Sequence, residues 1–140
     1  MQKFPGMDTP ETLESGIIDP VSTRKYSDEK ANVVPVYTDE KDMAIVTWNL
    51  MPGQENESHL HPNGAHVFFI IEGNGIYIKH QPGTSECKEF AIKAGDTVNI
   101  PRGIVHGIRN TGDEPLSYFA LTTTAGGDYE RVVDGVVQKF

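Results

Sequence analysis

From about residue 33 onward the chain repeats one pattern: a short apolar, β-branched or aromatic run, then a break of Gly, Pro, Asn or Asp. Runs this short and this often interrupted read as strands of an all-β sandwich or barrel, and no stretch shows a useful helical period. Strands are predicted at Val33–Tyr37, Met43–Leu50, His66–Ile71, Ile76–His80, Lys88–Ile92, Thr97–Ile100, Gly103–Asn110 and Ser117–Thr124. A last one is predicted over Glu130–Lys139, interrupted at Asp134-Gly135. Gly73-Asn74-Gly75 joins two runs with residues that tolerate positive φ, which predicts a hairpin between Val67–Ile71 and Ile76–Lys79. Ala94-Gly95-Asp96 and the segment from Asn110 to Asp113 read as similar reversals, and Pro101 ends the strand before it for lack of a ladder donor. Residues 1–31 are polar, carry Pro5, Pro10 and Pro20, and are expected to form an irregular arm before one domain over 32–140. Eight or so short strands in one small domain fit a double-sheet jelly roll or closed barrel, which hides its edges and encloses room for a small ligand.

The 140 residues suffice for one hydrophobic core and no more. Twenty acidic residues against 12 basic ones give a net charge of −8, and the only basic pair, Arg24-Lys25, lies among acidic neighbours. Such a surface repels phosphates, so nucleic acid and anionic membranes are excluded as partners. No apolar run approaches the roughly 20 residues that cross a bilayer. The acidic, proline-containing start is unlike a signal peptide, and the single Cys87 has no internal partner; together they predict a cytoplasmic protein.

Four of the five histidines fall in two tight segments. His59 and His61 are two apart, so an extended chain projects both to one face. A turn of Pro, Asn and Gly follows, and His66 opens the next strand. His106 comes about 40 residues later, after Pro101-x-Gly103. Imidazole is the commonest side-chain ligand for first-row transition metals, and four converging rings would repel one another if protonated with no ion between them. His59, His61, His66 and His106 are therefore expected to ligate one metal ion. His80, beside Gln-Pro-Gly, is expected to be exposed and unrelated.

These segments resemble the two signature motifs of the cupin superfamily. Gly53, His59, His61 and Gly73 match the first, and Gly95, Pro101, Gly103, His106 and Asn110 match every position of the second. The resemblance covers roughly residues 40–125 and implies a double-stranded β-helix, or jelly-roll barrel. It departs from the family at His66, which stands where a glutamate is usual. Small cupins with four-histidine sites resemble this chain. The resemblance implies one divalent ion per chain, manganese(II) first, then iron(II), nickel(II) or zinc(II), and also a homodimer, with the N-terminal arm long enough to reach a neighbour.

Three histidines and a glutamate reduce a dication to about +1, whereas four neutral imidazoles leave it near +2. Such a centre favours anionic oxygen donors such as an enolate, a diketonate or a 2-oxo acid. It also lacks a ligand carboxylate to act as base, leaving Glu55, Glu57, a tyrosine or water. The expected function is an enzyme acting on a small oxygen-rich acid or enolisable carbonyl compound, as a decarboxylase, dioxygenase, isomerase or cyclase. The alternative is a non-catalytic sensor or storage cupin whose ion is structural. By period two, Phe68 and Ile70 share the face of His66, and Ile104 and Ile108 that of His106. Arg102 is a candidate carboxylate holder at the barrel mouth, and Asn110 is expected to serve its own turn.

Overall fold

The structure is a computed structural model that describes residues 7–123, 130–133 and 136–139. Among the described residues eleven strands follow one another: β1 (Asn32–Thr38), β2 (Met43–Leu50), β3 (Glu55–Leu60), β4 (His66–Glu72), β5 (Asn74–His80), β6 (Cys87–Lys93), β7 (Thr97–Ile100), β8 (His106–Arg109), β9 (Leu116–Thr123), β10 (Glu130–Val133) and β11 (Val136–Lys139). No helix occurs among the described residues, so none is long and apolar enough to cross a membrane.

The strands form two antiparallel sheets, one in the order β1-β2-β9-β4-β7 and the other β11-β10-β3-β8-β5-β6. This is the double-sheet jelly roll expected from the strand pattern. Alternation decides which side faces in. On β4, His66, Phe68 and Ile70 are buried, while Val67 and Phe69 between them are exposed. The core gathers Leu50, Phe68, Ile70, Ile100, Leu116, Tyr118 and Ala120 from the first sheet, and Tyr77, Ile92 and Ile108 from the second.

Three expectations need correction. The Gly73-Asn74-Gly75 segment makes no hairpin: β4 pairs with β7 and β9, whereas β5 pairs with β6 and β8 in the other sheet. Glycines that permit a tight reversal permit an equally tight step between sheets. Gly73 has φ 83°, and a Cβ there would stand 2.2 Å from the Pro115 carbonyl oxygen, so the chain passes where only glycine fits. Ala94-Gly95-Asp96 (β6 to β7) and the Asn110–Asp113 segment (β8 to β9) likewise lead from one sheet to the other. The second correction is β3, whose residues ENESHL have no apolar alternation and were legible only as extended chain around the histidines. The third is the length of β8, which occupies only His106–Arg109 of the predicted Gly103–Asn110. The interruption predicted at Asp134-Gly135 lies outside the described residues.

The arm is irregular, as expected, but from residue 7 it lies on its own barrel. Asp8 bridges Tyr37 through Asp8 N–H to Val36 O (2.9 Å) and Thr38 N–H to Asp8 O (2.9 Å). Farther along, Thr23 Oγ1 meets Thr47 Oγ1 at 2.6 Å, Arg24 and Tyr26 both bond the Glu72 carboxylate, and Gln54 Nε2 donates to Ser27 O at 2.7 Å. The segment thereby covers Thr47, Asn49 and Ser117, which are fully buried.

Candidate metal centre

The four predicted histidines come together inside the barrel. His59 lies on β3, His61 just past its end, His66 at the start of β4 and His106 at the start of β8. His59 and His106 are direct cross-strand partners, while His66 reaches in from the opposite sheet. An irregularity in the β3–β8 register between Asn56 and His59 shifts the phase of the strand, so that both residues face inward although three positions apart. His61 is held through its carbonyl, which accepts from Gly103 N–H at 2.8 Å. The Pro101-x-Gly103 turn thus ties the second histidine segment to the first.

All four rings are buried, from 0% exposed for His106 to 7% for His61. Ring centres are separated by 5.4 Å (His59–His61), 6.4 Å (His59–His66), 4.3 Å (His59–His106), 3.7 Å (His61–His66), 6.3 Å (His61–His106) and 5.3 Å (His66–His106). These separations put the four centres at a root-mean-square distance of about 3.3 Å from their common centre. An imidazole bound through nitrogen at about 2.1 Å has its own centre about 3.2 Å from the ion, so the cluster has the radius a metal requires.

The hydrogen bonds agree with that radius. His59 Nδ1 lies 2.7 Å from Glu57 O and His106 Nδ1 2.8 Å from Ile104 O, so each ring donates there and keeps Nε2 as its lone-pair nitrogen. His66 Nδ1 is 3.2 Å from Thr122 Oγ1. Nε2 of His66 and of His106 are buried and have no hydrogen-bond partner, as ligand nitrogens are before an ion takes them up. Among the described residues no group of three or more His, Cys, Asp or Glu side chains is placed so that it could hold a metal ion as it stands. The four rings are gathered in one cluster, and holding an ion among them would require their side chains to move.

Burial first, and then the proximity of the His61, His106 and His59 rings, pushes His66 far below its ordinary 6.5. Burial first, then His59, does the same to His106, with the Ile104 carbonyl opposing in part. Both rings are held neutral, the state that binds a metal.

Around the rings the wall is apolar. Phe68 stands 5.5 Å from His66 and 5.7 Å from His106, and Tyr118 4.9 Å from Phe68. Ile70 and Ile108 are buried as expected, and Ile104 is half-buried. Asn110 serves its turn, donating to Leu50 O and Glu114 O and accepting from Gly112 N–H. Arg102 is exposed. Glu55 and Glu57 are exposed too, and Glu55 pairs with Arg109 at 3.3 Å. His80 departs from expectation: it is half-buried, with Nε2 3.2 Å from Ser58 Oγ. The sequence reading missed Thr122, the partner of His66, although period two along β9 from buried Tyr118 and Ala120 points to it.

The model of the family described as "Cupin domain" matches residues 46–122, more than half of the chain. The chain is a cupin. This cupin is 33% identical over 72 residues to the oxalate-binding protein of Thermotoga maritima, covering 51% of the chain and 54% of that protein. It is 29% identical over 104 residues to the glucose-6-phosphate isomerase of Thermococcus litoralis, covering 68% and 54%. The curated relatives it matches first are spanned over only 31–54% of their own length. Among solved structures, a Klebsiella pneumoniae protein with a double-stranded β-helix domain superposes with a TM-score of 0.75 at 27% identity, covering 85% of this cupin and 93% of that chain.

Proposed function

We propose that this cupin is a metal-dependent enzyme in which His59, His61, His66 and His106 hold one divalent ion, with manganese(II) the first candidate and iron(II), nickel(II) and zinc(II) next. The observation that carries this reading is the pair of buried, unpartnered Nε2 atoms of His66 and His106 within a four-ring cluster of metal-sized radius. The substrate class is a small oxygen-rich acid or an enolisable carbonyl compound. A bound ion would act as a Lewis acid towards the substrate's oxygens.

The chain's own residues supply the rest. Glu57 O and Ile104 O orient His59 and His106, and Thr122 orients His66. Four neutral ligands leave the charge of a dication near +2, which selects an anion. Phe68, Ile108 and Tyr118 keep bulk water from the rings, which strengthens that attraction. Two relatives are compatible with this class, since oxalate is a small dianion and glucose-6-phosphate an enolisable carbonyl compound. The exposure of Glu55 and Glu57 favours a second reading, a non-catalytic sensor or storage module with a structural ion.

Metal analysis of protein purified without an affinity tag tests the reading, followed by X-ray absorption at the metal found. Four imidazoles plus exchangeable oxygen ligands support the enzyme. A closed tetrahedron of four imidazoles sinks it and leaves the binding module. We further propose a homodimer in the cytoplasm; light scattering of the purified protein tests the pairing.

A further inference from the structure

The inner wall of the second sheet carries polar groups that the histidine cluster does not use. The β5–β8 register sets Lys79 opposite His106 and Tyr77 opposite Ile108. Directly opposed residues share a face, so Lys79 and Tyr77 lie on the face of His106, inside the barrel. Opposed Cβ atoms stand about 4.5–5.5 Å apart and diagonal ones about 7–8 Å. Both side chains are thus within reach of a small molecule resting on the His106 ring.

Tyr77 is 7% exposed, and its hydroxyl oxygen is buried without a hydrogen-bond partner. Burial also pushes that hydroxyl up from its ordinary range, so it stays a donor. Lys79 is half-buried and directly opposes Lys88 across β5 and β6. Opposed like charges destabilise a sheet, yet among the described residues neither lysine pairs with a carboxylate. Phe90 opposes Tyr77 on the same inward side and stacks on it at 6.1 Å and 28°, but is 46% exposed. The edge strand β6 is exposed at every position but Ile92, and it stands between Tyr77 and solvent. The wall beside His106 thus carries a buried, unused donor and the half-buried, unpaired Lys79.

We propose that this wall recognises the far end of an anionic substrate: the Tyr77 hydroxyl donates to, and Lys79 neutralises, a carboxylate whose near end faces the histidine cluster. The ligand class is a small dicarboxylate or 2-oxo acid. This assignment rests on the metal-centre reading above and names the residues that select the substrate for it.

The test compares wild type, Tyr77→Phe and Lys79→Met, each untagged and incubated with manganese(II). Metal content is read by mass spectrometry, and affinity for oxalate and malonate by calorimetry with and without the metal. The expected result is equal metal content in all three and a Kd for the dicarboxylates raised about fivefold or more in each variant, with Lys79→Arg restoring part of the loss. Tyr77→Phe removes one oxygen and keeps the ring, so its fold is retained. Unchanged affinity in both variants overturns the proposal, as does failure of the wild type to bind either probe. If the wild type holds no metal but its binding of the probes still depends on Tyr77 and Lys79, the four-histidine reading falls and the recognition wall stands.

Discussion

His66 occupies the position where this chain departs from its family's motif, and the structure gives that departure a physical setting. The ring enters from the sheet opposite His59 and His106, with Thr122 behind its Nδ1 and nothing on its Nε2. His66→Ala should therefore lower bound metal by at least about tenfold in affinity, the usual effect of disturbing a metal's surroundings, while His80→Ala leaves metal content unchanged; elemental analysis of dialysed protein checks both. Acid should act on the same rings. His66 and His106 have folded values below the unfolded 6.5, so the unfolded chain binds more protons beneath that pH and stability falls with it. For metal-free protein the loss should approach about 1.4 kcal/mol per histidine for each unit below 6.5, read from urea melts at pH 7.5 and 5.5. Bound metal should delay that loss. The clustering of the four histidines was legible because their spacing is carried by the sequence itself. Thr122 and Tyr77 were not singled out for these roles, because a threonine or tyrosine in an alternating strand looks the same whether or not its hydroxyl is needed.

Strands and turns divide along similar lines. β2 and β7 have the predicted bounds, and most others differ by a residue or two, because their apolar runs are clear. β3 was hidden because what fixes it is pairing with β8, not its own polar residues. The Gly73-Asn74-Gly75 step misled for a different reason: local chemistry says that the chain can turn sharply, and only the packing of both sheets says towards what. That packing makes Gly73 a sensitive position. Gly73→Ala sets a Cβ into the Pro115–Leu116 backbone at positive φ and should cost at least about 2 kcal/mol in a chemical melt. Gly103 has φ 77° with open space around it, so Gly103→Ala should cost only about 1 kcal/mol.

The arm and barrel act together. Arg24 and Tyr26 converge on Glu72 at the far end of β4, over a buried layer of Thr47, Asn49 and Ser117 in which Ser117 Oγ donates to Asn49 Oδ1 at 3.0 Å. Burial first, and then Glu72, pushes the Tyr26 hydroxyl up, so it remains a donor to that carboxylate. Tyr26→Phe should destabilise the protein by about 1–2 kcal/mol, and removing residues 1–31 by more, since it uncovers the polar layer; thermal melts of the two proteins give the order. The arm's irregularity was legible from its prolines, but its attachment was not, because it depends on single polar contacts with strands 20 to 50 residues away.

The connections that step between sheets also set an order of events. His59 meets His106 only when β3 and β8 have paired, and His66 joins them only when the two sheets close on each other. Such distant pairings are slow to form, and no partial structure assembles the four rings. An ion therefore cannot template the early chain. On the proposed four-histidine site its capture would report the last step of folding, and manganese added during refolding should change how fast the finished barrel comes apart far more than how fast it forms.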